Sequence, residues 1–121
     1  MISSDPLLFR VYDELINISP KELICCKADE DWTVLVLSGN REYQVNKPLY
    51  KIWDKLPAKH FERVHKEWIV NIHYIKQVFW EEQILILADE TQVPILPILR
   101  MRMQNILKKN PVFFRKMEWM V

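Results

Sequence analysis

A mainly β fold with two short helices is what this 121-residue sequence predicts, on three observations. Apolar and β-branched residues come in short runs separated by polar turn residues, the pattern of successive strands. Two such runs flank Ser38-Gly39-Asn40, a hairpin signal. The spacing changes to that of a helix at only two places, about residues 48–56 and 97–109.

Taken in order, Leu7 to Tyr12 and Leu23 to Cys26 read as strands, with Asn17, Ser19 and Pro20 marking the turn between them. Trp32 to Leu37 and Arg41 to Val45 form the hairpin just noted. From Pro48 onward, Leu49, Ile52, Trp53 and Leu56 fall at i, i+3, i+4 and i+7, which gathers them on one helical face. Pro48 suits a first helical turn and Pro57 ends it. Trp53, a large aromatic on that stripe, reads as a core residue. Tyr74 to Trp80 and Gln83 to Ala88 read as a second hairpin across Glu81-Glu82, the continuous Ile84-Leu85-Ile86-Leu87 suiting a buried strand. Asp89-Glu90 turns into a further strand, Thr91 to Ile95. Pro97 opens a final amphipathic helix with Leu99, Met103, Ile106 and Leu107 inward and Arg100, Gln104 and Lys108 on another face, and Asn110-Pro111 ends it.

The length suits one domain, residues 1–121, and is too short for a second sensing domain. No basic start followed by a long apolar run opens the chain and no run of apolar residues is long enough for a membrane helix, so a cytoplasmic protein is expected. Cys25 and Cys26 are adjacent, and neighbouring strand residues point to opposite faces, so free thiols are expected rather than a disulfide. No metal is expected either: CxxC pairs are missing, and His60, His65 and His73 match no helical ligand spacing. The single glycine, Gly39, excludes a Gly-rich phosphate loop, and no cofactor is expected.

Net charge is only +1, but the last 25 residues hold six basic side chains and one acidic one. Arg100, Arg102, Lys108, Lys109, Arg115 and Lys116 make that segment a candidate phosphate-contacting surface. The tail from Val112 carries Phe113, Phe114 and Trp119, enough apolar surface to fold back on the body or to meet a partner, including a second copy of the chain.

The densest signal is Phe61 to Asn71, Phe-Glu-Arg-Val-His-Lys-Glu-Trp-Ile-Val-Asn. It resembles the signature of the LytTR family of DNA-binding domains, with Phe61, Arg63, Val64, His65, Lys66, Trp68, Ile69, Val70 and Asn71 fitting and Glu67 standing where the family usually has Ser. The order of elements is similar to that family over about residues 8–107, leaving 108–121 as a basic and aromatic tail. The resemblance implies an elongated fold of consecutive antiparallel sheets that binds duplex DNA through loops in major grooves. It further implies a bacterial transcriptional regulator, here expected to lack its own receiver domain and to act as a dimer or on paired sites.

Residue by residue, the resemblance places Lys66 on the DNA, and Trp32 lies in the loop that supplies a second contact. The family's third contact, an Arg, is replaced by Pro97, so Arg63, Arg100 and Arg102 are the candidates for the remaining positive charge. His65 and Asn71 are expected to organise the loop through internal hydrogen bonds rather than to catalyse. Glu62 and Glu67 sit among Lys59, Arg63 and Lys66 as solvated ion pairs would, and no nucleophile with a base and an orienting acid emerges, so an enzyme is not expected. The alternative is a module of the same fold that has lost DNA recognition and modulates a related regulator. It is motivated by Asp29-Glu30-Asp31, Glu67, Pro97 and the aromatic tail.

Overall fold

The computed structural model describes residues 6–109, and the tail aromatics Phe113, Phe114 and Trp119 lie outside them. Among the described residues ten strands form three antiparallel sheets. The first is a hairpin of β1 (Leu7–Val11) and β2 (Glu14–Ile18). The second has five strands: β3 (Leu23–Asp29), β4 (Trp32–Leu37), β5 (Arg41–Val45), β6 (Phe61–His65) and β7 (Trp68–Asn71). Their order is β5-β4-β3-β7-β6, which puts β3 at the centre. The third holds β8 (Ile75–Phe79), β9 (Ile84–Leu87) and β10 (Gln92–Pro94) in the order β10-β9-β8. Helix α1 (Leu49–Trp53) links β5 to β6, and α2 (Arg100–Lys108) follows a short 3-10 turn at Pro97–Leu99.

The first hairpin differs from the expectation. Asn17, read with Ser19 and Pro20 as marking a turn, belongs to strand β2; Ser19 and Pro20 do lead into a 3-10 turn at Pro20–Glu22, and a further turn lies at Tyr12-Asp13. Tyr12 occupies that turn with φ 56°, a conformation usually left to Gly or Asn, so composition carried no hint of it. The third sheet differs in degree. Leu85 and Leu87 are buried while Ile84 and Ile86 are half-buried, so β9 alternates instead of being buried on both faces.

Two cores lie on opposite faces of the five-stranded sheet. One joins Leu23, Cys26, Leu35, Phe61 and Ile69 to Leu49 and Ile52 of α1 and to Phe9 and Ile18 of the first hairpin. The other joins Cys25, Val64 and Val70 to Leu85, Leu87 and Val93 of the third sheet and to Met103 and Leu107 of α2. Adjacent cysteines thus point into different cores, as the two-residue repeat of a strand requires. A bulge between Leu23 and Cys25 turns both Ile24 and Cys25 to the second core. Both thiols are free. Burial, with Asp89 and Glu42 adding to it, pushes Cys25 up to about 12, and burial raises Cys26 well above the ordinary thiol value, so neither forms the reactive thiolate near neutral pH.

Asn71, fully buried at the end of β7, ties these parts together. Its Nδ2 donates to the carbonyls of Leu23 (2.9 Å) and Pro20 (3.3 Å), and its Oδ1 accepts from the backbone N–H of His73 (3.0 Å). Replacing Asn71 by Ala takes the amide donor from the Leu23 carbonyl and the acceptor from the His73 N–H, while the Pro20 carbonyl keeps its bond from the Leu23 N–H. We expect Asn71→Ala to lose about 2–3 kcal/mol of stability, read as a lower urea midpoint with an unchanged slope.

Candidate nucleic-acid interface

The turn between β6 and β7 is built by its own side chains. A guanidinium N–H of Arg63 donates to the Lys66 carbonyl at 2.8 Å, and the Glu67 N–H donates to Nδ1 of His65 at 3.2 Å. The Glu67 carbonyl accepts from the Ala28 N–H at 2.8 Å, which fastens the turn to β3. His65 Nδ1 therefore accepts, and in the neutral ring the proton sits on Nε2. Within this frame Lys66 is exposed at the apex, and Lys27 stands 5.3 Å over the ring of Trp68 just behind it.

Register brings a second loop to the same end of the sheet. Lys27 faces Trp68 and Asp29 faces Trp32, so the β3–β4 tip lies within a few residues of the β6–β7 tip. Trp32, half-buried, opens β4 there. Thr33 anchors the end of β5 by donating its hydroxyl to the Lys47 carbonyl at 2.7 Å. This end of the sheet therefore mixes Lys27, Lys47, Arg63 and Lys66 with Asp29, Glu30, Asp31 and Glu67. Opposite charges so interleaved leave little net field, and any anion must be met by particular side chains rather than by a broad basic patch.

The helix arginines are placed differently. The Leu96 N–H donates to the Val64 carbonyl at 2.9 Å, which lays the entry to α2 against β6. Arg102 then reaches Glu62 with two N–H groups, at 2.9 and 3.3 Å. The Glu62 side chain is only 6% exposed while Arg102 is 65% exposed, and among the described residues Arg102 is the one cation paired with that carboxylate. Arg100 is half-buried at the start of α2. The structure brings Lys66, His65 and Trp32 to one end of the sheet, uses Arg63 as a brace for the turn, and commits Arg102 to Glu62.

Sequence spacing gave no sign of the Glu62 partnership, nor of a contact between His60 and His73. Their ring nitrogens Nδ1 and Nε2 lie 3.0 Å apart, because the Phe61–Asn71 pairing continues through a bond from the Ile72 N–H to the His60 carbonyl. Partial burial lowers both imidazoles from their ordinary value, and for His60 the neighbouring His73 and Lys59 add to it. Among the described residues no group of three or more His, Cys, Asp or Glu side chains is placed to hold a metal, and no helix is long and apolar enough to cross a membrane.

Comparison with known proteins bears on this arrangement. The sequence profile of the LytTr DNA-binding domain matches residues 13–96, so β1 and α2, with Arg100 and Arg102, fall outside the match. The Sensory transduction protein LytT of Bacillus subtilis is 32% identical over 92 residues, covering 74% of this chain and 38% of that protein. The chain thus spans well under half of that relative's length. A LytTr DNA-binding domain from Bacillus cereus superposes with a TM-score of 0.73 at 18% identity, covering 87% of this chain and 98% of that domain, a likeness of fold.

Two outcomes follow from the side-chain pairs. Arg102→Ala strands a buried carboxylate, and because the arginine is largely exposed the cost is expected at about 1–2 kcal/mol in urea unfolding. Adding Glu62→Gln should return part of it. The histidines bind protons less readily folded than unfolded, so their contribution to stability is complete above pH 6.5 and is lost as pH falls through their lowered folded values. Thermal melts between pH 7.5 and 5 should show a decline that flattens in His73→Gln, by an amount kept small by exposure.

Proposed function

The chain belongs to the LytTR family of DNA-binding domains, and from that premise we propose that it binds duplex DNA and serves a bacterial transcription regulator in the cytoplasm. The observation that carries the reading is the braced turn: Arg63, His65 and the Ala28 N–H hold a rigid apex from which Lys66 projects. An ammonium on a preorganised loop reaches a phosphate or the acceptors of guanine without ordering the loop at the moment of binding. In this reading the β6–β7 turn enters a major groove, Lys66 makes the central contact, Trp32 packs at the neighbouring loop, and Arg100 approaches the backbone. Arg63 and Arg102 act indirectly, the first by shaping the turn and the second by holding α2 on β6.

The mixed charge of this end has a functional consequence. Asp29, Glu30, Asp31 and Glu67 repel phosphate, so nonspecific affinity is expected to be low and only duplexes that engage Lys66 productively are held. One small domain reads few base pairs, and paired copies on repeated sites raise the selectivity.

A second reading, a protein-interaction module on this fold, is favoured by the same acidic side chains and by the commitment of Arg102 to Glu62. Fluorescence anisotropy on duplexes selected from a random pool separates the two. For the DNA reading, Lys66→Ala should weaken binding about tenfold and reduce the log–log salt slope by about 1, with Lys66→Glu weaker still. Wild-type affinity in Lys66→Glu would remove that residue from the interface. A chain that selects no duplex even at low salt is the interaction module.

A further inference from the structure

The first hairpin leaves one strand edge and one sheet face open. A two-residue loop joins β1 to β2, so Val11 and Glu14 beside it form a hydrogen-bonded pair, and by alternation so do Phe9 with Ile16 and Leu7 with Ile18. Leu15 and Asn17 therefore turn their N–H and C=O groups away from β1. β1 comes near β5 without pairing to it and its Leu8 carbonyl accepts from Lys55 Nζ at 3.1 Å, while among the described residues no backbone bond reaches the outer edge of β2. The devices that normally blunt such an edge, a bulge, a proline or a lysine in the strand, are missing from Glu14–Ile18. The inward face is occupied, with Phe9 and Ile18 each 1% exposed in the core. On the outward face Leu8 and Leu15 are 54% and 70% exposed, with Tyr12 at the tip 76% exposed.

We propose that β2 is a self-association strand, to which β2 of a second copy of this chain pairs antiparallel with Ile16 facing Ile16. This register overlaps all five residues. It sets Leu15 opposite Asn17 of the second copy, so the outward groups of both exchange two bonds, and the two-fold axis repeats the exchange. It also sets the two Leu15 side chains diagonally across the axis, within reach of one another, and adds the half-buried Ile16 of each copy to a shared inner face. Charge selects the direction. Antiparallel pairing puts the Asp13-Glu14 pairs of the two copies at opposite ends of the ladder, whereas parallel pairing would set each acidic pair against its own counterpart. Two five-residue strands bury less than a standard interface, so the dimer is weak and reversible, reinforced where adjacent DNA sites hold two copies together. The pairing itself does not depend on DNA.

Sedimentation velocity of the full chain without DNA, over a concentration series from low to high micromolar, tests it. The wild type should shift from monomer towards dimer. Leu15→Lys, a change at an exposed side chain that leaves the inner face intact, should raise the dissociation constant by about tenfold or more by setting two lysines across the axis. Asn17→Pro, which removes an outward N–H from an edge strand, should do the same, and circular dichroism checks that each variant is folded. Replacing Phe113, Phe114 and Trp119 together by Ala should leave the dimer unchanged. A chain that stays monomeric throughout, a dimer that survives both strand variants, or a dimer lost with the tail aromatics overturns the proposal.

Discussion

Almost everything in this fold hangs on how one buried amide is satisfied. Asn71 is the last residue of the signature segment, and its side chain meets the chain at the entrance to β3 and in its own turn. An amide with two donors and an acceptor can close three backbone groups at once, and a dry site makes each of those closures compulsory. Because Pro20 and Leu23 stand at the entrance to β3, the amide fixes where the central strand begins. The strand in turn fixes the register of β4 and β7, and that register puts the two loop tips side by side. The position of Lys66 is thus set from the opposite end of the sheet.

Local signals made much of this readable in advance. The Ser38-Gly39-Asn40 turn, the helical spacing of Leu49, Ile52 and Leu56, and the opposed cysteines each follow from neighbours in sequence, and each is present in the fold. The LytTR signature named the segment that carries the candidate loop. The β2 strand was hidden because its turn is made by Tyr12, not by a turn-forming residue. The same economy of glycine recurs at Glu30, Asn40, Gln83 and Glu90, all with positive φ. Long-range pairs were hidden for a different reason. Glu62 and Arg102 stand 40 residues apart and His60 and His73 stand 13 apart, and nothing in their spacing marks them as partners.

Those hidden pairs change what the charges mean. A count of basic residues near the end of the chain suggests an electrostatic surface, yet the described part of that segment spends Arg102 on a carboxylate, and Arg63 in the signature spends an N–H on a carbonyl. Charge in this protein is used first to hold geometry. What remains for a ligand is a small number of cations on a stiff support, the arrangement that favours discrimination over raw attraction.

The central strand also dictates an order of events at birth. β3 is made early, but one of its two neighbours, β7, ends 42 residues after β3 ends, with the whole of β4, β5, α1 and β6 between them. While the chain emerges from the ribosome, the β3–β4–β5 meander has a bare edge where β7 will pair, and the face that the third sheet and α2 will cover stands open, with only the first hairpin available to the other. The Leu23 carbonyl lacks its amide partner until Asn71 is made, while the Pro20 carbonyl has only the local bond from the Leu23 N–H. The nascent amino-terminal half is therefore a sticky, unfinished sheet for the time it takes to make those residues, and the signature segment doubles as the piece that closes it.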